Sequence, residues 1–173
     1  MNVPENALNY YAQACALDEA QGDHLSCAIS LSCMGRLYME SSEWDNALKS
    51  YQQAIEHDKR IQNKDGLYDS LIQIAAIYSE RKQWKRAQHC YEKALSLILH
   101  EDDNHPAHTE SQTDEWKKAN LYLKMGHLFE YLGNTVKALD YFQKARSSVS
   151  EGTLSHDSLD LLDQKIQTLT STL

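Results

Sequence analysis

The segments Trp44-Asp45-Asn46-Ala47-Leu48-Lys49-Ser50-Tyr51-Gln52-Gln53-Ala54 and Trp84-Lys85-Arg86-Ala87-Gln88-His89-Cys90-Tyr91-Glu92-Lys93-Ala94 are two copies of one pattern. Trp, Ala, Tyr and Ala recur between them at a separation of 40 residues. The same rule returns as Ala7, Tyr11 and Ala14 near the start and as Ala138, Phe142 and Ala145 near the end. A small residue, an aromatic four positions later and a second small residue three after that fall on one face of an α-helix, because 3.6 residues make a turn. The alanines on that face let another helix approach closely.

Working outward, Gly35, Ala75 and Gly126 stand twelve residues before Ala47, Ala87 and Ala138, and each is followed by an aromatic: Tyr38, Tyr78 or Phe129. Leu31 and Met34, Leu71 and Ile74, and Tyr122 and Met125 complete those faces. The repeating unit is therefore a pair of antiparallel helices that cross at their small residues. The spacing predicts a lone helix over 5–21, helix pairs over 24–62, 66–101 and 114–149, and a last helix over 156–171. Asp65 and Thr113 are expected as N-caps, and Gly133-Asn134 as the turn inside the third pair. Leu159, Leu162, Ile166, Leu169 and Leu173 make a one-sided stripe on the last helix. Such a helix closes a stack whose final face would otherwise meet water.

These residues resemble the tetratricopeptide repeat, whose first helix carries a Leu-Gly pair and a Tyr and whose second carries Ala, an aromatic and Ala. The resemblance runs from about Leu31 to Ala145. Two departures stand out. The family's closing proline is replaced by Lys59, Leu99 and Ser150, and the period is 40 rather than the usual ~34 residues. The longer period is similar to that of kinesin light chains, cell-polarity adaptors and bacterial peptide-sensing regulators. The fold so implied is all-α: a superhelical array of antiparallel pairs with a C-terminal capping helix, in a single domain over 1–173.

Composition excludes several functions. A net charge of −8 opposes binding to phosphate backbones. No apolar run reaches the ~20 residues that span a bilayer, and Met1-Asn2-Val3-Pro4-Glu5 has no signal-peptide character, so a cytoplasmic protein is expected. No Gly-rich phosphate loop, nucleophile elbow or paired Cys and His suggests an enzyme. Cys15, Cys27, Cys33 and Cys90 lack zinc-finger spacing and read as thiols used as small apolar groups. No cofactor and no metal are expected. The interval from Ala94 to Ala145 holds 11 residues more than the corresponding interval between the earlier copies. The excess falls around His100, His105 and His108, in a loop over 102–113 that holds the last two; the three histidines lack a spacing that would fix a common ligand geometry. Tyr38, Tyr51, Tyr78 and Tyr91 read as core, Trp44 and Trp84 as wedges between paired helices, and Trp116 has no counterpart in the repeat.

The remaining surface is the concave one, which the resemblance assigns to outward positions of the first helices. Those are Ser32, Arg36, Met39 and Glu40, then Ile72, Ala76, Ser79 and Glu80, then Leu123, His127, Glu130 and Tyr131. Chaperone-binding members of the family hold a C-terminal carboxylate in a clamp of Lys, Asn and Arg, and only Arg36 matches it. An apolar strip of Ile72, Ala76 and Leu123, edged by Arg36, Glu40, Glu80 and His127, instead suits a peptide or helix with apolar anchors. The expected function is a non-enzymatic module, adaptor or chaperone-like, holding a protein partner in this groove. The alternative is a structural or oligomerising piece of a longer repeat protein that binds through its ends, with self-association at the N-terminal helix around Ala7, Tyr11 and Ala14.

Overall fold

The computed structural model describes residues 5–99, 112–149 and 156–172. Residues 100–111, with the three histidines, lie outside the described residues, whereas 112–113 of the expected loop are already helical. Two compact units divide the chain, Met1–Ala94 and Leu95–Leu173. Among the described residues there are eight helices: α1 (Glu5–Gln21), α2 (His24–Glu40), α3 (Trp44–Arg60), α4 (Lys64–Glu80), α5 (Trp84–Leu99), α6 (Gln112–Tyr131), α7 (Thr135–Ser147) and α8 (His156–Ser171). The array is all-α and of the helix-pair type.

Turn chemistry explains the 20-residue rhythm of the first unit. Each helix ends in a residue of left-handed backbone: Gly22 (φ 74°), Ser42 (φ 60°), Gln62 (φ 55°) and Lys82 (φ 56°), with Gly133 (φ 71°) doing the same in the second unit. The residue after it turns its N–H back onto the last helical turn. Asp23 bonds to Asp18 O, Glu43 to Tyr38 O, Asn63 to Asp58 O, Gln83 to Tyr78 O and Asn134 to Phe129 O, at 2.8–2.9 Å. This closes the helix in the Schellman manner. The next helix then starts at once. Asp23, Asn63 and Asn134 cap α2, α4 and α7 by accepting the N–H of Ser26, Gly66 and Lys137. Asp65 is thus not the cap of α4 but a residue of its first turn, because Asn63 satisfies the orphan donor two positions earlier. Thr113 is likewise not a cap, since α6 already begins at Gln112.

In the first unit α2 packs on α1 and α3, and α3 packs on α4. Ala47 and Ala87 are fully buried, as is Ala138 in the second unit. At the α2–α3 crossing Gly35 has no room for a side chain, since a Cβ there would stand 2.8 Å from the Tyr51 ring. Tyr51 and Tyr91 are core, but Tyr38 and Tyr78 are only half-buried. Cys15 and Cys27 depart from the free-thiol expectation. The tight turn at Gly22-Asp23 folds α1 back along α2, brings their Cα atoms to 4.3 Å and pairs the two sulfurs as a disulfide. Cys33 and Cys90 remain thiols.

In the second unit α6 packs on α7 and α7 on α8. Phe142 fills the α6–α7 crossing, and a Cβ on Gly126 would meet its ring at 2.6 Å. The closing helix docks through the buried Leu162 and through ion pairs from Arg146 to Asp163 (2.9 Å) and from Lys165 to Glu130 (2.8 Å). Trp116 is 47% exposed on α6.

Candidate interaction surfaces

A cleft of about 440 Å³ opens between α2 and α4 in the first unit. From α2 it receives Ile29, Ser32, Cys33 and Arg36, a stripe at helical spacing; from α4 it receives Gly66, Asp69, Ser70 and Gln73. Its floor is Tyr51, whose burial raises the phenol pKa to about 12 and keeps it neutral. One end is closed by a polar knot at the α3–α4 corner. Asp58, almost wholly buried, accepts a hydrogen bond from Asn63 Nδ2 at 2.8 Å, while Asn63 Oδ1 accepts from Gly66 N at 3.3 Å. Burial pushes the Asp58 carboxyl up, against the opposing pull of the Asn63 bond. Gly66 is required here, because a Cβ would run into that carboxylate. The Cys33 thiol beside Tyr11 raises the pKa of that phenol.

The cleft contains Ser32 and Arg36 of the expected surface, with Arg36 exposed. Met39 and Glu40, in the last turn of α2, lie outside its lining. Ile72 is not an outward residue, being only 7% exposed and part of the core. The reason is visible in α4. Tyr68, Ile72, Ile74, Ala75 and Ile77 are buried around most of its circumference, and only the narrow face with Asp69 and Gln73 is left to the cleft. Ala76 is half-buried, and Glu80 is exposed at the end of the helix. Ile29, Cys33, Asp69 and Gln73 were missed. They lie three residues before Ser32, Arg36, Ile72 and Ala76, so extending the same stripe one turn toward each N-terminus finds them.

Leu123 and His127 belong to the second unit, where with Phe142, Leu161, Leu162 and Lys165 they line a cleft of about 270 Å³. The closing helix forms one wall of it. His127 is exposed and lies 3.5 Å from Glu130. Burial works against the charge on Glu130, but its bonds to Lys165 and His127 prevail and hold the carboxyl below its ordinary value. Tyr131 is exposed at the last residue of α6. No helix among the described residues is long and apolar enough to cross a membrane.

Residues 26–100 match the family model described as Tetratricopeptide repeat. No curated protein matches the sequence. Among solved structures, the chain is similar to BtubC (BKLC) from P. vanneervenii, with a TM-score of 0.70 at 17% identity. That alignment covers 86% of this chain and 57% of that one, so the chain spans little more than half of BtubC. It is similar also to the TPR2B domain of yeast Sti1, solved as a complex with pHsp70, with a TM-score of 0.59 at 18% identity, covering 84% of this chain and 98% of that one. MamA follows, with a TM-score of 0.50 at 14% identity and coverages of 82% and 73%. At such identities these likenesses concern the fold. The family is generally a non-enzymatic protein-interaction fold, and in that general sense the chain is a protein–protein interaction module. Matched repeats over residues 26–100, helix pairs crossing at Gly35 and Gly126, and the fold shared with these structures together give the chain a helical array of tetratricopeptide-repeat type.

Proposed function

We propose that the chain is an adaptor that holds an extended or helical peptide in the α2–α4 cleft of its first unit. The observation that carries this reading is Ile29, 56% exposed in the lining of a cleft that also holds the charged groups Arg36, Asp58 and Asp69. An apolar anchor of the partner would cover Ile29, while Arg36 and Asp69 would set its direction through charge. Arg36 is the one basic residue of the lining and shares it with Asp58 and Asp69. That balance disfavours a strongly acidic tail and favours a peptide with one carboxylate or none near its anchor. The test is selection of peptides from a random display library on the purified chain, followed by affinity measurement. Ile29→Asp should weaken the selected peptides about tenfold or more, Arg36→Glu less so and in a salt-dependent way, and Lys49→Glu on the opposite side not at all. Peptides that respond to Lys49→Glu and ignore Ile29→Asp would refute the cleft.

A second reading, binding through the N-terminal end, is favoured by α1, which leaves Tyr10 72% and Leu17 59% exposed. Apolar side chains so placed suit contact with a second copy or another protein. Sedimentation of the wild type and of Leu17→Glu separates the readings: concentration-dependent association abolished by that change supports the second.

A further inference from the structure

We propose that Cys15, Glu19, Cys27 and His57 form a tetrahedral zinc site in the first unit, available when the two cysteines are thiols. Four donors of the right kinds converge there from three helices. Cys15 and Glu19 are four apart on α1 and so share a face, Cys27 lies in the first turn of α2, and His57 lies in the last turn of α3. The sulfurs of Cys15 and Cys27 and a carboxylate oxygen of Glu19 all lie within 4.8 Å of one another. His57 Nε2 stands 3.6 Å from Cys27 Sγ and 3.2 Å from Glu19 Oε1. A tetrahedral zinc ion with bonds of about 2.3 Å to sulfur and about 2.0–2.1 Å to nitrogen and oxygen needs edges of about 3.5 Å and 3.3 Å between those pairs. The two observed edges are therefore close to what the ion requires; the paired sulfurs must part, and the edges to Cys15 must close around the ion as they do.

The surroundings fit as well. Cys15, Cys27 and His57 are buried and Glu19 is exposed. A cleft of about 290 Å³, lined in part by Cys15, Glu19 and His57, gives an ion its way in. On the far side of the imidazole, His57 Nδ1 lies 3.1 Å from His24 Nδ1. A metal on Nε2 leaves the proton on Nδ1, which then donates to His24 and fixes the ring, as the outer partners of metal-bound histidines do. Repeat packing does not ask for these residues. At the same register one period later, Ile55, Lys59, Leu67 and Leu97 stand in place of Cys15, Glu19, Cys27 and His57. Two thiols, an imidazole and a carboxylate select zinc over hard cations.

Loading is balanced simply. A phosphine or dithiol reduces the disulfide to two thiols and is itself oxidised; Zn²⁺ then displaces the two thiol protons, and no further electron moves. The full chain, reduced with a phosphine in metal-free buffer, is titrated with Co²⁺ and then Zn²⁺. One Co²⁺ per chain with thiolate-to-cobalt charge-transfer absorption, displaced by Zn²⁺ with a rise in Tm, is the expected result. Cys15→Ile and His57→Leu adopt the residues used at the same places in the next repeat, so helicity by circular dichroism should persist while affinity falls about 100-fold or more. Glu19→Gln should cost about tenfold, and Cys33→Ser nothing. Any of three results overturns the proposal: no stoichiometric binding by the reduced, helical wild type; a Cys15–Cys27 bond that persists in the folded chain under reductant; or cobalt binding without thiolate absorption, which would assign the metal to histidines elsewhere.

Discussion

Gly126→Ala is the sharpest test of the helix crossings, because two opposing effects of known size meet at one position. In a helix interior Ala is favoured over Gly by about 1 kcal/mol, so an uncrowded site would be stabilised. Here the new Cβ would stand 2.6 Å and 2.7 Å from two carbons of the Phe142 ring, and 3.0 Å from a third. Phe142 is fully buried, is met edge-on by the His127 ring at 5.1 Å, and has Lys165 Nζ 5.9 Å from its centre, so it has little room to yield. Overpacking of this kind costs about 1–3 kcal/mol. The net expectation is a loss of about 1–2 kcal/mol, or about 2–8 °C in Tm for a chain of this length. Thermal and urea unfolding followed by circular dichroism measure it. A double-mutant cycle with Phe142→Leu should show coupling, since the smaller side chain admits the methyl group. A rise in stability for Gly126→Ala alone, or strict additivity in the cycle, would refute the crossing at Gly126 and Phe142. Gly35→Ala, facing Tyr51 at 2.8 Å, should behave in the same way in the first unit.

Other outcomes follow from particular side chains. Ile72→Asp, placing a carboxylate in the α4 core, should destabilise by about 3–5 kcal/mol and lower helicity in denaturant titrations. Lys82→Gly should raise stability by about 0.5–1 kcal/mol, because relief of a left-handed backbone exceeds the added entropy of the unfolded chain. Gly22→Ala, with open space around it but φ at 74°, should do the opposite. The Asp58 pKa is raised by folding, so the folded chain keeps this proton where the unfolded chain has lost it. Stability from this group is therefore largest in acid and declines as pH rises from about 4 through the raised value. Denaturation midpoints over that range should show the decline in the wild type and not in Asp58→Asn.

The helix pairs were legible in the sequence because their cause is local and repeated. Ala47, Tyr51 and Ala54 return as Ala87, Tyr91 and Ala94, and only helical spacing puts such a triplet on one face. The closing helix was legible for the same reason, from Leu159, Leu162, Ile166 and Leu169. Which face of α4 is turned outward was not legible. Leu71, Ile72, Ile74, Ala75, Ala76 and Ile77 surround that helix with apolar groups, so periodicity gave no preferred side, and packing made Ile72 core while Asp69 and Gln73 line the cleft. The sequence alone points to Asp65, two residues past the true cap of α4, because Asn63 and Asp65 are both good caps and the Asn63 bond to Asp58 decides between them. Cys15, Glu19, Cys27 and His57 form no motif along the chain. Their spacing has meaning only once the turn at Gly22 folds α1 onto α2 and α3 brings its last turn alongside. Sequence by itself thus determined the helices and their pairing, which depend on neighbours three and four residues away. Tertiary structure alone decided the cleft and the four-donor cluster, which depend on residues that only packing makes neighbours.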